Sequence, residues 1–129
     1  MQIITKVANG NIKPSRAVRL DTTAEGKCLT GSAANQKIIG ISEEGTRRIG
    51  DADDGFAAIA GENLRIYGPG SICWLHLGGT VAIDDRLECD SDGAGTTTTT
   101  DNQWVFARAL QPGVSGQLIR VEVLPAARY

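Results

Sequence analysis

Apolar residues along this chain occur in short runs that are separated by glycine, aspartate and asparagine. Within the runs apolar and polar positions alternate, as in Asn63-Leu64-Arg65-Ile66-Tyr67, which is typical of a strand with one face in a core. Only residues 56–60, between flanking glycines, suggest a short helix. The predicted strands are 17–20, 27–30, 37–42, 63–67, 71–77, 85–90, 103–110 and 116–124. This spacing predicts a mainly β chain, a compact barrel or sandwich of short strands with little helix.

The first fifteen residues lack this alternation and end at Lys13-Pro14-Ser15. They nevertheless contain apolar side chains that need a surface to cover them. We therefore expect an extended N-terminal arm over residues 1–15, followed by a β-rich domain over residues 16–129. On this interpretation the arm adds to a neighbour's sheet edge or lies across a partner. Deletion of residues 1–12 would then leave the domain folded.

A shift of 67 positions brings similar residues together without a gap. Arg19-Leu20-Asp21 then falls on Arg86-Leu87-Glu88, Gly26 on Gly93, Thr30 on Thr97 and Asn35-Gln36 on Asn102-Gln103. Each copy contains a strand, an Asp/Gly turn, a short strand, an Asn-Gln turn and an apolar strand. The sequence predicts a duplicated β unit at about 16–45 and 83–112, too few copies for a solenoid.

Composition narrows the class of partner. The 129 residues carry 13 Lys+Arg against 15 Asp+Glu, so the formal net charge is −2, which argues against nucleic acid or an anionic membrane as the main partner. The longest apolar stretches are far shorter than the ~20 residues of a membrane-spanning helix. The three cysteines lack the spacing of a zinc site or a disulfide framework. With no signal-peptide pattern at the N-terminus, we expect synthesis in a reducing cytoplasm.

The candidate chemistry is sparse. His76 is the only histidine, and alternation places it on the same face as Trp74, which favours a packed or interface histidine over a general base. The run 51–55 with Glu62 resembles part of a calcium loop, but its glycine comes one place early. The acidic run 84–93 predicts a water-facing strand side or a salt-bridged subunit contact. We therefore predict no catalytic residue, no metal and no cofactor.

Two series of residues resemble a known family. The first series is Ala17-Val18-Arg19-Leu20-Asp21, Gly26-Lys27-Cys28-Leu29 and Ile38-Ile39-Gly40-Ile41-Ser42-Glu43. The second series is Val81-Ala82-Ile83-Asp84-Asp85-Arg86-Leu87, Asp92-Gly93, Val105-Phe106-Ala107-Arg108-Ala109-Leu110, Gly116 and Leu118-Ile119-Arg120-Val121-Glu122-Val123. Over residues 16–124 this succession resembles the small capsid decoration, or cement, proteins of tailed bacteriophages.

The resemblance implies a non-enzymatic virion protein that binds the outer surface of the assembled head. The implied partners are the major capsid protein and further copies of the chain itself, as a homotrimer at local threefold axes. Such a trimer would stabilise contacts between neighbouring capsomers. The resemblance implies no contact with nucleic acid or with a membrane.

The candidate interface residues fall into three groups with different alternatives. The alternative for the aromatic anchors is packing in the core, the alternative for the arginines, which the sequence favours, is a solvated surface, and the apolar arm residues follow from the extended arm. The candidates are Tyr67, Trp74 and His76; Arg16, Arg19, Arg47 and Arg48; and Ile3, Ile4, Val7 and Ile12. The alternative function is a receptor- or carbohydrate-binding module of a phage head or tail fibre. Its aromatic platform would be Trp74 or Trp104.

Overall fold

The computed structural model describes residues 3–43 and 56–128, and every regular element within them is a strand. The mainly β fold predicted from alternation is confirmed, and the segment 56–60 forms a bridge and a turn rather than a helix. The strands are β1 Ile3–Ala8, β2 Ala17–Leu20, β3 Lys27–Thr30, β4 Gly40–Ser42, β5 Asn63–Tyr67, β6 Ile72–His76, β7 Arg86–Cys89, β8 Gly95–Thr97, β9 Trp104–Ala109 and β10 Leu118–Arg128.

The first five strands form a closed barrel in the order β1-β3-β2-β4-β5. Strand β1 closes it, running antiparallel to β5 and parallel to β3. Alternate side chains point inward and build an apolar core, because period-2 alternation gives each strand one buried face. The buried members of this core are Ala8, Ile12, Val18, Cys28, Ala57, Ala58, Leu64 and Ile66.

The extended N-terminal arm expected from the sequence is not confirmed. Residues 3–8 form a barrel strand, in which Ile3 to Val7 pair with Tyr67 to Asn63 of the same chain. Ile12 is fully buried and exchanges backbone hydrogen bonds with Ala58. The apolar side chains that seemed to lack a core are therefore covered by strands from later in the sequence.

The other five strands form a second sheet in the order β6-β10-β9-β7-β8. Its two edge strands approach each other at a parallel bridge between Leu77 and Gly95, where the Gly78 N–H donates to the Gly95 carbonyl over 2.9 Å. The side chains inside this sheet form a second core around Phe106, Leu75, Leu77 and Leu87.

The two halves repeat the same pattern of strand pairing. Thr5 lies opposite Arg65 as Trp74 lies opposite Arg120. The isolated bridge between Ile12 and Ala58 has its counterpart in Val81 and Gly113, and the parallel pairing of β1 with β3 has its counterpart at Leu77 and Gly95. Backbones with positive φ also coincide, in the pairs Ser15 and Asp84, Gly26 and Gly93, Asn35 and Asn102, and Gly61 and Gly116.

The spacing between equivalent residues is not constant along the chain. It is 69 positions over β1 and β2, 67 over β3 and β4, and 55 over β5. The ungapped shift of 67 therefore matches Gly26 with Gly93 and Asn35 with Asn102, but it misaligns the preceding strand. The structural counterpart of Arg19 is Glu88 rather than Arg86, because the turn after β7 is two residues shorter than the turn after β2.

The halves are joined by backbone hydrogen bonds and by a shared core. The His76 N–H donates to the Ser15 carbonyl over 2.9 Å, and the Ala17 N–H donates to the Gly93 carbonyl over 2.7 Å. At Gly93, φ is +75°, and a Cβ would lie 2.6 Å from the Thr30 Cγ2 atom, so only glycine fits this junction. Ala17, Ile38 and Ile41 come from the first half but belong to the core of the second.

Candidate functional site

The outer face of β6 and β10 carries three of the seven large apolar side chains that are exposed among the described residues. Along β6, Cys73 and Leu75 are buried while Ile72 and Trp74 point outward with 55% and 39% exposure. On the neighbouring strand Leu118 is 52% exposed and pairs with His76. Alternation thus gives this sheet one face in the core and one face in water that is partly apolar.

Arg120 completes this surface by stacking on the tryptophan. Its guanidinium carbon lies 5.1 Å from the centre of the Trp74 ring, within cation–π range. Beside the pair is a shallow recess of about 280 Å³, lined by Tyr67, Ile72, Cys73, Trp74 and Arg120. We call the exposed set Ile72, Trp74, Leu118 and Arg120 the β6–β10 strip.

Charged residues of β10, β9, β7 and the turn before β7 adjoin the strip. Arg108 donates to Glu122 over 2.9 Å and to Asp84 over 3.3 Å, so both carboxylates face a cation. Arg86 and Arg120 form no ion pair with any carboxylate of residues 3–43 or 56–128. The sheet face therefore presents two uncompensated guanidinium groups on a chain whose formal net charge is −2.

His76 lies at one end of the strip and is half-buried. Desolvation by burial, followed by the nearby Arg16 guanidinium, lowers the pKa of His76, so the imidazole is neutral at pH 7. It lines a second recess of about 320 Å³ together with Lys13, Arg16 and Leu118. No carboxylate or nucleophile is aligned with the ring by a hydrogen bond among the described residues, which fits a packed histidine better than a general base.

The structure brings some of the predicted interface residues together and separates others. Trp74 and Tyr67 line the same recess, although Tyr67 also packs against the second core, and His76 lies two residues beyond Trp74 on β6 and lines the other recess. Arg16 donates to the Asp92 carbonyl over 3.2 Å, across the junction of the halves, and Arg19 lies half-buried on β2. Arg47 and Arg48 lie outside the described residues.

Most of the N-terminal apolar residues that were predicted to contact a partner pack in the barrel instead. Ile12 is in the first core, Ile4 packs against that core, and Val7 is half-buried. Ile3 alone among them is exposed, on the outer side of β1. These side chains therefore contribute to the barrel, and only Ile3 offers substantial surface to a partner.

Three residues of the strip were not among the predicted contacts. Ile72 and Leu118 are apolar residues at the outward positions of alternating strands, and Arg120 is a cation directly across from Trp74. Alternation in 71–77 identifies Ile72 as outward once Cys73 and Leu75 are assigned to the core. Leu118 and Arg120 could not be found in this way, because their place depends on the register between β6 and β10.

Acidic residues of both runs singled out in the sequence have structural partners. Asp85 accepts hydrogen bonds from the Ala82 N–H and the Thr97 hydroxyl, both over 2.9 Å, and Glu62 accepts one from the Ile59 N–H. Residues 51–55 of the calcium-like run lie outside the described residues. Over 3–43 and 56–128 no group of three potential metal ligands is found. The same residues contain no helix long and apolar enough to span a membrane.

Comparison with known proteins finds similarity at the level of the fold. No protein-family model matches the chain, and no curated protein matches it by sequence. The chain is similar in structure to the N base of the head fiber gp8.5 of bacteriophage phi29, with a TM-score of 0.65 and 17% sequence identity. The similarity covers 95% of this chain and 92% of the other, so it extends over both halves and establishes a common fold.

Proposed function

We propose that this chain is a non-enzymatic structural protein of a bacteriophage head. In this proposal it decorates the outer surface of the capsid, binds the major capsid protein and stabilises contacts between neighbouring capsomers as a homotrimer at local threefold axes. The fold shared with a phage head fiber base supports a head-associated role. The resemblance of residues 16–124 to cement proteins, drawn from different evidence, supports the same location.

The observation that carries the proposal is the β6–β10 strip. Ile72, Trp74 and Leu118 remain exposed although both apolar cores of the chain are filled by other residues. Exposed apolar side chains that adjoin one another on a soluble domain are typical of a surface that binds another protein. A structural protein of an assembled particle requires such a surface and requires no reacting group.

The experiment is to mix the purified chain with expanded, undecorated heads of the phage whose genome encodes it and to image the particles by cryo-electron microscopy. We expect added density on the outer surface at threefold positions. Sedimentation equilibrium of the chain in solution tests the homotrimer separately. Particles without added density would contradict the proposal.

The alternative, a carbohydrate-binding module, requires an aromatic face open for stacking against a sugar. Both tryptophans have a cation over the ring, Arg120 over Trp74 at 5.1 Å and Lys37 over Trp104 at 5.4 Å. A sugar would have to displace these cations before it could stack. Binding on a glycan array, with no binding to heads, would favour this alternative over the capsid role.

A further inference from the structure

The internal repeat allows the β6–β10 strip to be compared with the equivalent surface of the first barrel. Strands β1 and β5 are the counterparts of β6 and β10, so Thr5 occupies the place of Trp74 and Asn63 the place of Leu118. Both first-half residues are exposed and polar. The same backbone framework therefore forms with threonine and asparagine at these positions, and folding does not require tryptophan or leucine there.

The two arginines of this comparison also differ in their charge partners. Arg65 lies opposite Thr5 as Arg120 lies opposite Trp74, but Arg65 forms an ion pair with Glu43 over 3.2 Å. The position equivalent to Glu43 is Leu110, since the Glu43 N–H donates to the Arg65 carbonyl as the Leu110 N–H donates to that of Arg120. The second half thus keeps the arginine and lacks its carboxylate.

We infer that the β6–β10 strip is the surface that binds the capsid shell, and that the shell presents carboxylates beside apolar side chains there. The inference rests on the proposed function and goes beyond it by assigning this contact to one face. Exposed apolar side chains at the Trp74 and Leu118 positions occur together with an uncompensated cation in one half, and its structural repeat lacks both features. Of the strip's apolar positions the first half keeps only Ile3, the equivalent of Ile72. An acidic, partly apolar protein surface complements both features.

A second copy related by a twofold axis is a poorer occupant of the same face. In a twofold contact the strip would meet itself, and Arg120 and Arg86 would approach like charges without a new carboxylate, because Asp84 and Glu122 already face Arg108. Three side chains between 39% and 55% exposed also provide only part of the roughly 800 Å² that a stable interface buries on each partner. The strip therefore fits a small, charge-assisted contact that many copies make on one particle.

The first test exchanges residues between the repeats. Trp74→Thr and Leu118→Asn install the side chains of Thr5 and Asn63, and Thr5→Ala is the matched control on the first barrel. We expect Trp74→Thr to weaken binding to undecorated heads at least about tenfold in a cosedimentation assay, because an aromatic anchor at a contact contributes strongly to affinity. The control should bind as the unmodified chain does. Circular dichroism melts confirm that the variants fold.

The second test restores the missing carboxylate. Leu110→Glu gives Arg120 an internal partner equivalent to Glu43 and should weaken head binding, while Arg120→Ala should both weaken binding and reduce its dependence on salt. Arg65→Ala removes the same charge from the first barrel and is the control. Binding that strengthens with Leu110→Glu would indicate a basic partner and overturn the inference.

The outcomes separate the inference from the proposed function. If the unmodified chain does not bind heads, the proposed function fails, and the assignment of this face fails with it. If the chain binds and Trp74→Thr binds equally well, only the assignment of the face is wrong. If Trp74→Thr dissociates the chain into smaller species during sedimentation, the strip is a contact between copies, and its assignment to the shell is overturned.

Discussion

Asp21 directly follows β2, and its side chain stabilises the turn after that strand. Its carboxylate accepts hydrogen bonds from the Thr23 hydroxyl over 2.6 Å and the Thr23 N–H over 2.9 Å, and another from the Asn9 side chain. The hydrogen bonds from Thr23, followed by that from Asn9, lower the pKa of Asp21 to about 2. Asp90 has the same place in the second half, where its carboxylate accepts from the Asp92 and Ala94 N–H groups.

The lowered pKa of Asp21 predicts a pH-dependent contribution to stability. Because the folded-state pKa is below the unfolded value, the stabilisation is fully present above about pH 4 and is lost as pH falls through about 2. We expect Asp21→Asn to lower the free energy of unfolding at pH 6, and the difference from the unmodified chain to shrink at pH 2. Urea denaturation at the two pH values measures it.

A matched variant tests whether this effect belongs to the hydrogen-bonded turn. Asp101→Asn removes an exposed aspartate from the turn between β8 and β9 and should change stability little at either pH. An equal loss of stability for Asp21→Asn at pH 6 and at pH 2 would contradict the proposed ionic contribution.

Which residues point into the core could be predicted from the sequence where alternation is strong. Alternation places Trp74 with His76 on one face of the strand and therefore Cys73, Leu75 and Leu77 on the other, and in the structure the latter three are buried. The partner of Trp74 could not be predicted in this way. Arg120 meets the indole only because β6 and β10 pair in one register, and that register depends on contacts between residues more than forty positions apart.

At the scale of elements, most strands between Ala17 and Leu124 coincide with predicted ones, while β1 was not predicted as a strand. Strands flanked by Gly, Asp or Asn turns and built of alternating residues are identified by local chemistry. Strand β1 has little contrast between exposed and buried positions, and its main partner β5 lies nearly sixty residues further along the chain. Local alternation cannot reveal a pairing between strands that lie so far apart in the sequence. For this reason the sequence predicts an extended arm where the structure has β1.

The closure of the barrel by β1 changes the result expected from truncation. Deletion of residues 1–12 removes the strand between β3 and β5 and takes Ala8 and Ile12 out of the first core. We now expect this deletion to lower the free energy of unfolding by more than about 3 kcal/mol, because it leaves two edges unpaired and a cavity in the core. Urea denaturation followed by tryptophan fluorescence measures the change.

A shorter truncation provides the comparison. Deletion of Met1 and Gln2 leaves β1 and all of its pairings in place, so the denaturation midpoint should stay the same within about 0.5 kcal/mol of unfolding free energy. A chain without residues 1–12 that unfolds at the original urea concentration would restore the extended-arm interpretation.

At the scale of the whole molecule, the repeat extends further than the sequence alone reveals. The shift of 67 residues can be recognised in the sequence because β3, β4 and the turns beside them lie 67 positions before their counterparts in the second half. Changes in loop length hide the rest, since the turn after β2 is two residues longer than its counterpart and the β4–β5 connection is twelve residues longer than the β9–β10 connection. Strands that pack the same way tolerate such changes because loops lie on the surface.

The shared core predicts that the halves depend on each other unequally. The first core consists of first-half residues only, whereas the second contains Ala17, Ile38 and Ile41 from the other half. We expect a fragment of residues 68–129 to remain unfolded alone and to fold when mixed with residues 1–67. Amide proton dispersion in NMR spectra of the separate and mixed fragments measures this. A cooperative thermal transition of fragment 68–129 by itself would contradict it.

In the intact chain the same argument predicts one unfolding transition in place of two. Ile41 belongs to β4 of the first barrel yet is buried in the second core, so its loss should destabilise both halves together. Ile41→Ala should cost about 2–5 kcal/mol and lower the single transition without splitting it, as expected for a large apolar side chain removed from a core. Ile66→Ala, in the first core, is the matched variant of equal size change. Because the second half needs the first, Ile66→Ala should also lower a single transition. A second sheet that stays folded after the first barrel of Ile66→Ala has melted would show that it does not depend on the first.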